Sequence, residues 1–172
     1  MVLVSGAIAQ HGISIMALRE GLEFGTTVKT DSAPLNGMVA SLTSALGRDV
    51  HVLRDPTRGG VASVLNEIAK AAGAGVDIVE AAFPIAEEVR GACEILGLDP
   101  LYVANEGRFV AVVPADEADA AVAAMRAHAD CADAVVIGEI VPDPPGIVVL
   151  RTPFGGSRIV DMLVGDPLPR IC

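Results

Sequence analysis

The chain ends on a thiol, and the residues before it make that thiol a candidate carrier. Cys172 closes the segment Gly165-Asp166-Pro167-Leu168-Pro169-Arg170-Ile171-Cys172. Two prolines there block a helix and withhold ladder hydrogen bonds, so an extended or polyproline-like arm is expected. Fully stretched, eight residues reach roughly 26–29 Å. A sulfur on such an arm can accept a group at one site and present it at another. The neighbouring terminal carboxylate disfavours the thiolate, and Arg170 partly compensates. The other two cysteines read differently. Cys93 shares an apolar face with Ile85, Val89 and Leu96 and reads as a core residue. Cys131 follows an Ala-rich stretch without an obvious partner. Three cysteines without a CxxC pair suggest neither a disulfide framework nor a zinc site, and a reducing compartment fits. The ending lacks the aliphatic order of a prenylation signal, which leaves Cys172 as an acceptor or carrier thiol, or a fortuitous end.

Two glycine-containing turns are the next candidates. In Asp55-Pro56-Thr57-Arg58-Gly59-Gly60 a predicted strand gives way to a predicted helix. Backbone N–H groups and the positive end of a helix dipole at such a turn suit an anion, and Arg58 adds a charge-assisted contact to phosphate. Asp55 fits a nearby amide or a magnesium ion shared with phosphates. The same residues also read as a tight turn with Thr57 as N-cap. The second turn, Ser5-Gly6-Ala7-Ile8-Ala9-Gln10-His11-Gly12, offers His11 either to phosphate or to loop carbonyls. Glu106 sits in Asn105-Glu106-Gly107 between two apolar runs, where a carboxylate can orient a ligand, move a proton, or simply cap the turn. His51 and His128 have no ligand-spaced company, and no metal site is read from the residues.

Alternating periods set the elements that must hold these groups. Residues 2–8 read as a strand and 12–20 as a short helix. Pro34 opens a helical stripe of Leu35, Met38, Val39 and Leu42 that stops at Gly47. Residues 50–53 read as a strand, and 60–72 as a strongly amphipathic helix stopped by Gly73. Val76 and Ile78 mark a strand. A helix opens at Pro84 with Glu87 and Glu88 in its first turn and closes at Gly97. Residues 101–104 and 108–113 read as two strands around the Glu106 turn. An Ala-rich helix over 115–129, strands over 134–141 and 146–151, and an amphipathic piece over 159–164 complete the pattern. The expectation is one α/β (α+β) domain over 1–164, a mixed sheet packed with helices, followed by the tail 165–172.

Composition narrows the function. The net charge of −10 argues against nucleic acid. Hydrophobic residues make up 52%, with no Trp and one Tyr, so the core is aliphatic. No apolar run reaches the length of a membrane helix, and no basic leader precedes the first strand. A cytoplasmic protein is expected.

The segments VSGAIAQHGISIMALREGLEF, APLNG, DPTRGGVASVLNEIA, YVANEG and TPFGGSRIVD, with the ending PRIC, together resemble the C-terminal domain of the HypE family of hydrogenase maturation factors. That family belongs to the superfamily of aminoimidazole ribonucleotide synthetase and selenophosphate synthetase. The resemblance implies a fold like the C-terminal domain of aminoimidazole ribonucleotide synthetase. It also implies that Cys172 receives a carbamoyl group from HypF. ATP with magnesium would then dehydrate that group to a thiocyanate, and the cyanide would pass to iron on HypC–HypD. Glu106 is implied as the proton-removing or positioning group. Asp55, Thr57, Arg58, Gly59, Gly60 and His11 would face the nucleotide phosphates. The family's N-terminal ATP-binding domain has no counterpart in this sequence, so the chain by itself is expected to turn over little. Other readings are a non-enzymatic docking domain for maturation partners, or a domain of another ATP-dependent synthetase of the superfamily.

Overall fold

The computed structural model describes residues 1–21 and 28–163. The expected tail 165–172, Cys172 included, lies outside the described residues. Among the described residues seven strands form one mixed sheet: β1 (Val2–Val4), β2 (Val52–Arg54), β3 (Gly75–Val79), β4 (Val110–Val112), β5 (Val135–Val141), β6 (Val148–Arg151) and β7 (Ser157–Ile159). Their order is β2-β4-β1-β5-β3-β6-β7. Every pairing is antiparallel except β3 with β6. Five α-helices among the described residues accompany it: α1 (Gln10–Glu20), α2 (Asn36–Leu46), α3 (Gly60–Ala72), α4 (Glu87–Leu96) and α5 (Ala118–Arg126).

Helices cover both faces of the sheet, which is why β1 and β4 are apolar and buried at every position. Side chains alternate across a strand. In β1, Val2 and Val4 join Val110, Val112 and the α3 residues Val61, Leu65 and Ile68 in one core. Leu3 points the other way and joins Ala111, Met38, Leu42 and Leu46 of α2, and Ala121 and Met125 of α5. Ile13 and Met16 of α1 pack with Val89, Ala92 and Cys93 of α4 and with Val103 in a third cluster. The mixed α/β architecture expected from the periods is therefore observed. No described helix is long and apolar enough to cross a membrane.

Several local expectations change. The strand expected over 2–8 stops at Val4: the Ser5 N–H still donates to the Phe109 carbonyl opposite it at 3.0 Å, but the Phe109 N–H is taken by the Ser5 side-chain Oγ at 2.9 Å. The paired strands expected over 101–104 and 108–113 are not a hairpin. Asp99 accepts the Leu101 N–H and caps a 3-10 turn over Pro100–Tyr102, and only Val110–Val112 joins the sheet. Leu101 and Val103 satisfy their hydrophobicity against α3 and α1 instead. The Ala-rich helix is shorter than 115–129, because 3-10 turns replace its two ends. The piece expected over 159–164 is instead the short edge strand β7 and an irregular run to Leu163.

Candidate functional site

Three loops meet on one asparagine. Asn105 is 1% exposed and its amide is fully used. Its Oδ1 accepts the Ala9 N–H at 2.7 Å, and its Nδ2 donates to the carbonyls of Pro56 and Val103, both at 3.0 Å. Its own N–H donates to the Pro56 carbonyl at 3.1 Å. This clip joins the start of α1, the turn into α3 and the Glu106 turn. It also explains a local oddity. Ala9, the N-cap of α1, has φ 69, the one positive value among described non-glycine residues. Left-handed alanine costs about 1–2 kcal/mol, and the Asn105 bond holds it there.

The turn into α3 follows the same logic. Gly59 is the N-cap of α3, left-handed at φ 72, with no side-chain cap, so the expected N-cap role of Thr57 is not observed. Gly60 has φ 59, and a Cβ there would lie 2.4 Å from the Leu101 carbonyl oxygen and 2.7 Å from that of Val103. The second glycine is therefore required by backbone packed against backbone. Asp55 and Arg58 are exposed, Thr57 is half-buried, and Asp55 and Thr57 line an open groove of about 460 Å3 with Val39, Leu53, Arg54 and Phe109. Arg54 itself is paired with Glu67.

Glu106 is half-buried and its backbone N–H donates to Asp31 Oδ1 at 3.0 Å. His11 Nδ1 lies 2.9 Å from Thr30 Oγ1. The segment around Asp31 thus touches both the His11 turn and the Glu106 turn. Arg108 braces the far side: it donates to the carbonyls of Ala7, Gly107 and Asp130 and to Gln10 Oε1. One hydrogen-bonded assembly therefore connects the turns that carry His11, Glu106 and the stretch from Asp55 to Gly60. Asn105, Asp31 and Arg108, which hold it together, did not stand out in the sequence. Asp31 and Asn105 belong to aperiodic stretches and Arg108 to the start of an expected strand, and only the spatial meeting of loops gives each its partner.

The described chain also ends here. Asn66 of α3 donates to the Val160 carbonyl at 2.8 Å and Tyr102 Oη donates to that of Asp161 at 2.9 Å. These bonds lead Leu163 to the α3 turn, where its Cβ would be 3.7 Å from a Cβ built on Gly59. Burial, with Asp99 close by, raises the Tyr102 hydroxyl above its usual range.

The two described cysteines are buried and unpaired by any disulfide. Cys93 is buried as expected, and burial together with nearby Asp99 pushes its thiol up to about 11. Cys131 is buried too and, contrary to its lonely place in the sequence, its Sγ donates to Met38 Sδ at 3.0 Å. Burial raises its thiol as well. A thiol held neutral by the fold stabilises it fully below the unfolded value near 9.0, and that contribution is lost as pH rises towards about 11. Iodoacetamide at pH 8 is accordingly expected to leave Cys93 and Cys131 unmodified until urea unfolds the chain. Mass spectrometry of tryptic peptides checks it, and rapid native labelling of either would contradict the burial. His128 Nε2 meets Ser41 Oγ at 2.8 Å and His51 is exposed, in keeping with structural or solvated roles. Among the described residues no group of three or more His, Cys, Asp or Glu is placed to hold a metal ion.

A mixed sheet covered on both faces, with glycine turns opening α1 and α3 beside a clipped Asn-Glu-Gly turn, defines the class. Residues 1–151 match the family model of the AIR synthase related protein, C-terminal domain, and the chain belongs to that family. Within it, the chain is 51% identical over 171 residues to the carbamoyl dehydratase HypE of Azotobacter vinelandii, covering 99% of this chain and 50% of that protein. A solved HypE in complex with ATP superposes with a TM-score of 0.93 at 44% identity, over 99% of this chain and 52% of that one. HypE in a HypE–HypF complex superposes with a TM-score of 0.89 at 47% identity, over 94% of this chain and 52% of that one. The chain thus spans about half the length of the curated relatives it matches.

Proposed function

We propose that this chain is the carrier-thiol half of an ATP-dependent carbamoyl dehydratase that prepares cyanide for the iron of a [NiFe] hydrogenase. The observation that carries the reading is the place of Leu163, the last described residue. Leu163 lies beside Gly59, and Cys172 is nine residues further on. Nine residues span at most roughly 30–32 Å, so the sulfur is tethered within reach of the turns bearing Asp55, Arg58, His11 and Glu106. Relatives named HypE, one solved with ATP and one with HypF, support the same assignment.

In this reading Cys172 Sγ accepts a carbamoyl group from HypF and holds it as a thiocarbamate. Its conversion to a thiocyanate removes the elements of water. The carbamoyl oxygen takes the terminal phosphoryl of ATP, the nitrogen gives up two protons, and phosphate leaves with ADP as the other product. Glu106 removes a proton from that nitrogen. Arg58 and the N–H groups opening α1 and α3 face the phosphates, with His11 at the rim. Magnesium bound with the nucleotide neutralises phosphate charge, and Asp55, an exposed carboxylate beside the turn, is the ligand this side would offer. An ion held chiefly by phosphate oxygens and water needs only one or two carboxylates. The remaining half of the relatives' length supplies the rest of the nucleotide site. The HypC–HypD complex takes the cyanide, and the cytoplasm is the compartment.

Mass spectrometry of Cys172 tests it. The chain, joined to the other half of a HypE relative, is incubated with HypF, carbamoyl phosphate and ATP. A carbamoyl adduct that then loses water is expected. The chain without that half is expected to stop at the adduct or before it. An unmodified thiol in a protein that still binds HypF would instead make this a docking domain.

A further inference from the structure

Asp31 belongs to no helix or strand and is only 5% exposed. Its Oδ1 accepts the Glu106 N–H at 3.0 Å. Among the described residues, its Oδ2 is the buried side-chain nitrogen or oxygen left without a hydrogen-bond partner. Buried polar atoms are nearly always paired, so an orphaned carboxylate oxygen marks a residue whose presence stability alone does not explain. The backbone around it is equally specific. A Cβ on Gly107 would lie 1.7 Å from the Asp31 carbonyl oxygen and 2.7 Å from the Ala33 nitrogen. On its other flank, Thr30 Oγ1 meets His11 Nδ1 at 2.9 Å and Ser32 Oγ lies 3.4 Å from the same nitrogen. Residues 30–32 therefore bridge the His11 turn and the Glu106 turn.

Resting on the assignment of Glu106 as proton acceptor, we propose that Asp31 is the positioning residue of that reaction: its Oδ1 and backbone lock the Glu106-Gly107 turn against the His11 segment. Asp31 touches no reacting atom. It acts by fixing the Cα from which the Glu106 carboxylate extends. A carboxylate on a short turn follows every shift of its backbone. Misplacement of a reacting group by about 1 Å costs about 100-fold in rate.

Hydrogen exchange at the Glu106 amide, followed by NMR in this chain, separates positioning from catalysis, and turnover is measured in the complete protein. The wild-type amide is expected to exchange slowly. In Asp31→Ala it should exchange at least about 10-fold faster while the Leu65 amide of α3 is unchanged. The kcat should fall about 10- to 100-fold, with the KM for ATP little altered. Asp31→Asn keeps the Oδ1 acceptor and should restore both protection and turnover to within about threefold of wild type. A wild-type Glu106 amide as unprotected as an exposed loop amide overturns the proposal without any variant, as does unchanged exchange in Asp31→Ala. If protection is lost but neither Asp31→Ala nor Glu106→Gln slows turnover, the positioning stands and the chemical role of Glu106 falls.

Discussion

Gly60→Ala is expected to cost about 4 kcal/mol or more, a loss of the size reserved for a few named mechanisms. Two of those coincide at this position. The backbone is left-handed at φ 59, and the added methyl would stand 2.4 Å and 2.7 Å from the carbonyl oxygens of Leu101 and Val103. Neither oxygen can swing aside, because both belong to backbone packed against α3. Gly73 supplies the control. It is also left-handed, at φ 61, yet a Cβ there meets nothing within 4 Å. Gly73→Ala should therefore cost only the conformational penalty, about 1–2 kcal/mol. Urea unfolding checks both. With a slope of about 1–3 kcal/mol per molar, the Gly60 variant should lose about 2 M in midpoint or fail to fold. Equal midpoints for the two variants would show that the close approach at Gly60 does not exist.

Asn105→Ala should be nearly as damaging, for a different reason. Truncation leaves the Ala9 N–H and the Val103 carbonyl without the partner that now satisfies them, and leaves the Pro56 carbonyl only the backbone N–H of residue 105. Each buried orphan costs about 1–3 kcal/mol, so a total near 3 kcal/mol is expected. At about 2–4 °C per kcal/mol, that lowers Tm by about 10 °C. Asn105→Asp should not rescue it. The acceptor for Ala9 survives, but both donors become lone pairs facing carbonyls. Calorimetry of the two variants is the check, and an unchanged Tm for either would refute the clip. The clip is the contact through which the turn into α3, the start of α1 and the Glu106 turn share one geometry.

The sequence was most legible where burial repeats. Val61, Leu65 and Ile68 recur on one stripe and Gly73 ends it, and α3 runs over Gly60–Ala72 as the pattern requires. A helix carries its own hydrogen bonds, so its extent is a local matter. The cysteine on the apolar face of α4 was read the same way, and Cys93 lies in that core. The strand expected over 101–104 is absent and that over 108–113 shrinks to Val110–Val112, because alternation describes side chains and not backbone partners. The apolar residues of the stretch 101–109 are buried, as a strand's would be, but its polar groups go to Ala9, Pro56 and Asp31, which lie far away in sequence.

The chain's own order of residues determined a mixed aliphatic α/β fold and the glycine turn into α3, and it set a thiol at the end of a proline-broken segment. What only the folded molecule decided is which turns meet. Asp31 and Glu106 are 75 residues apart and Ala9 and Asn105 are 96 apart. Nothing periodic links them, because hydrogen bonds between loops depend on where the sheet delivers the loop ends. Sheet order is fixed by the packing of both faces at once, so the site became visible only after the core had been assembled.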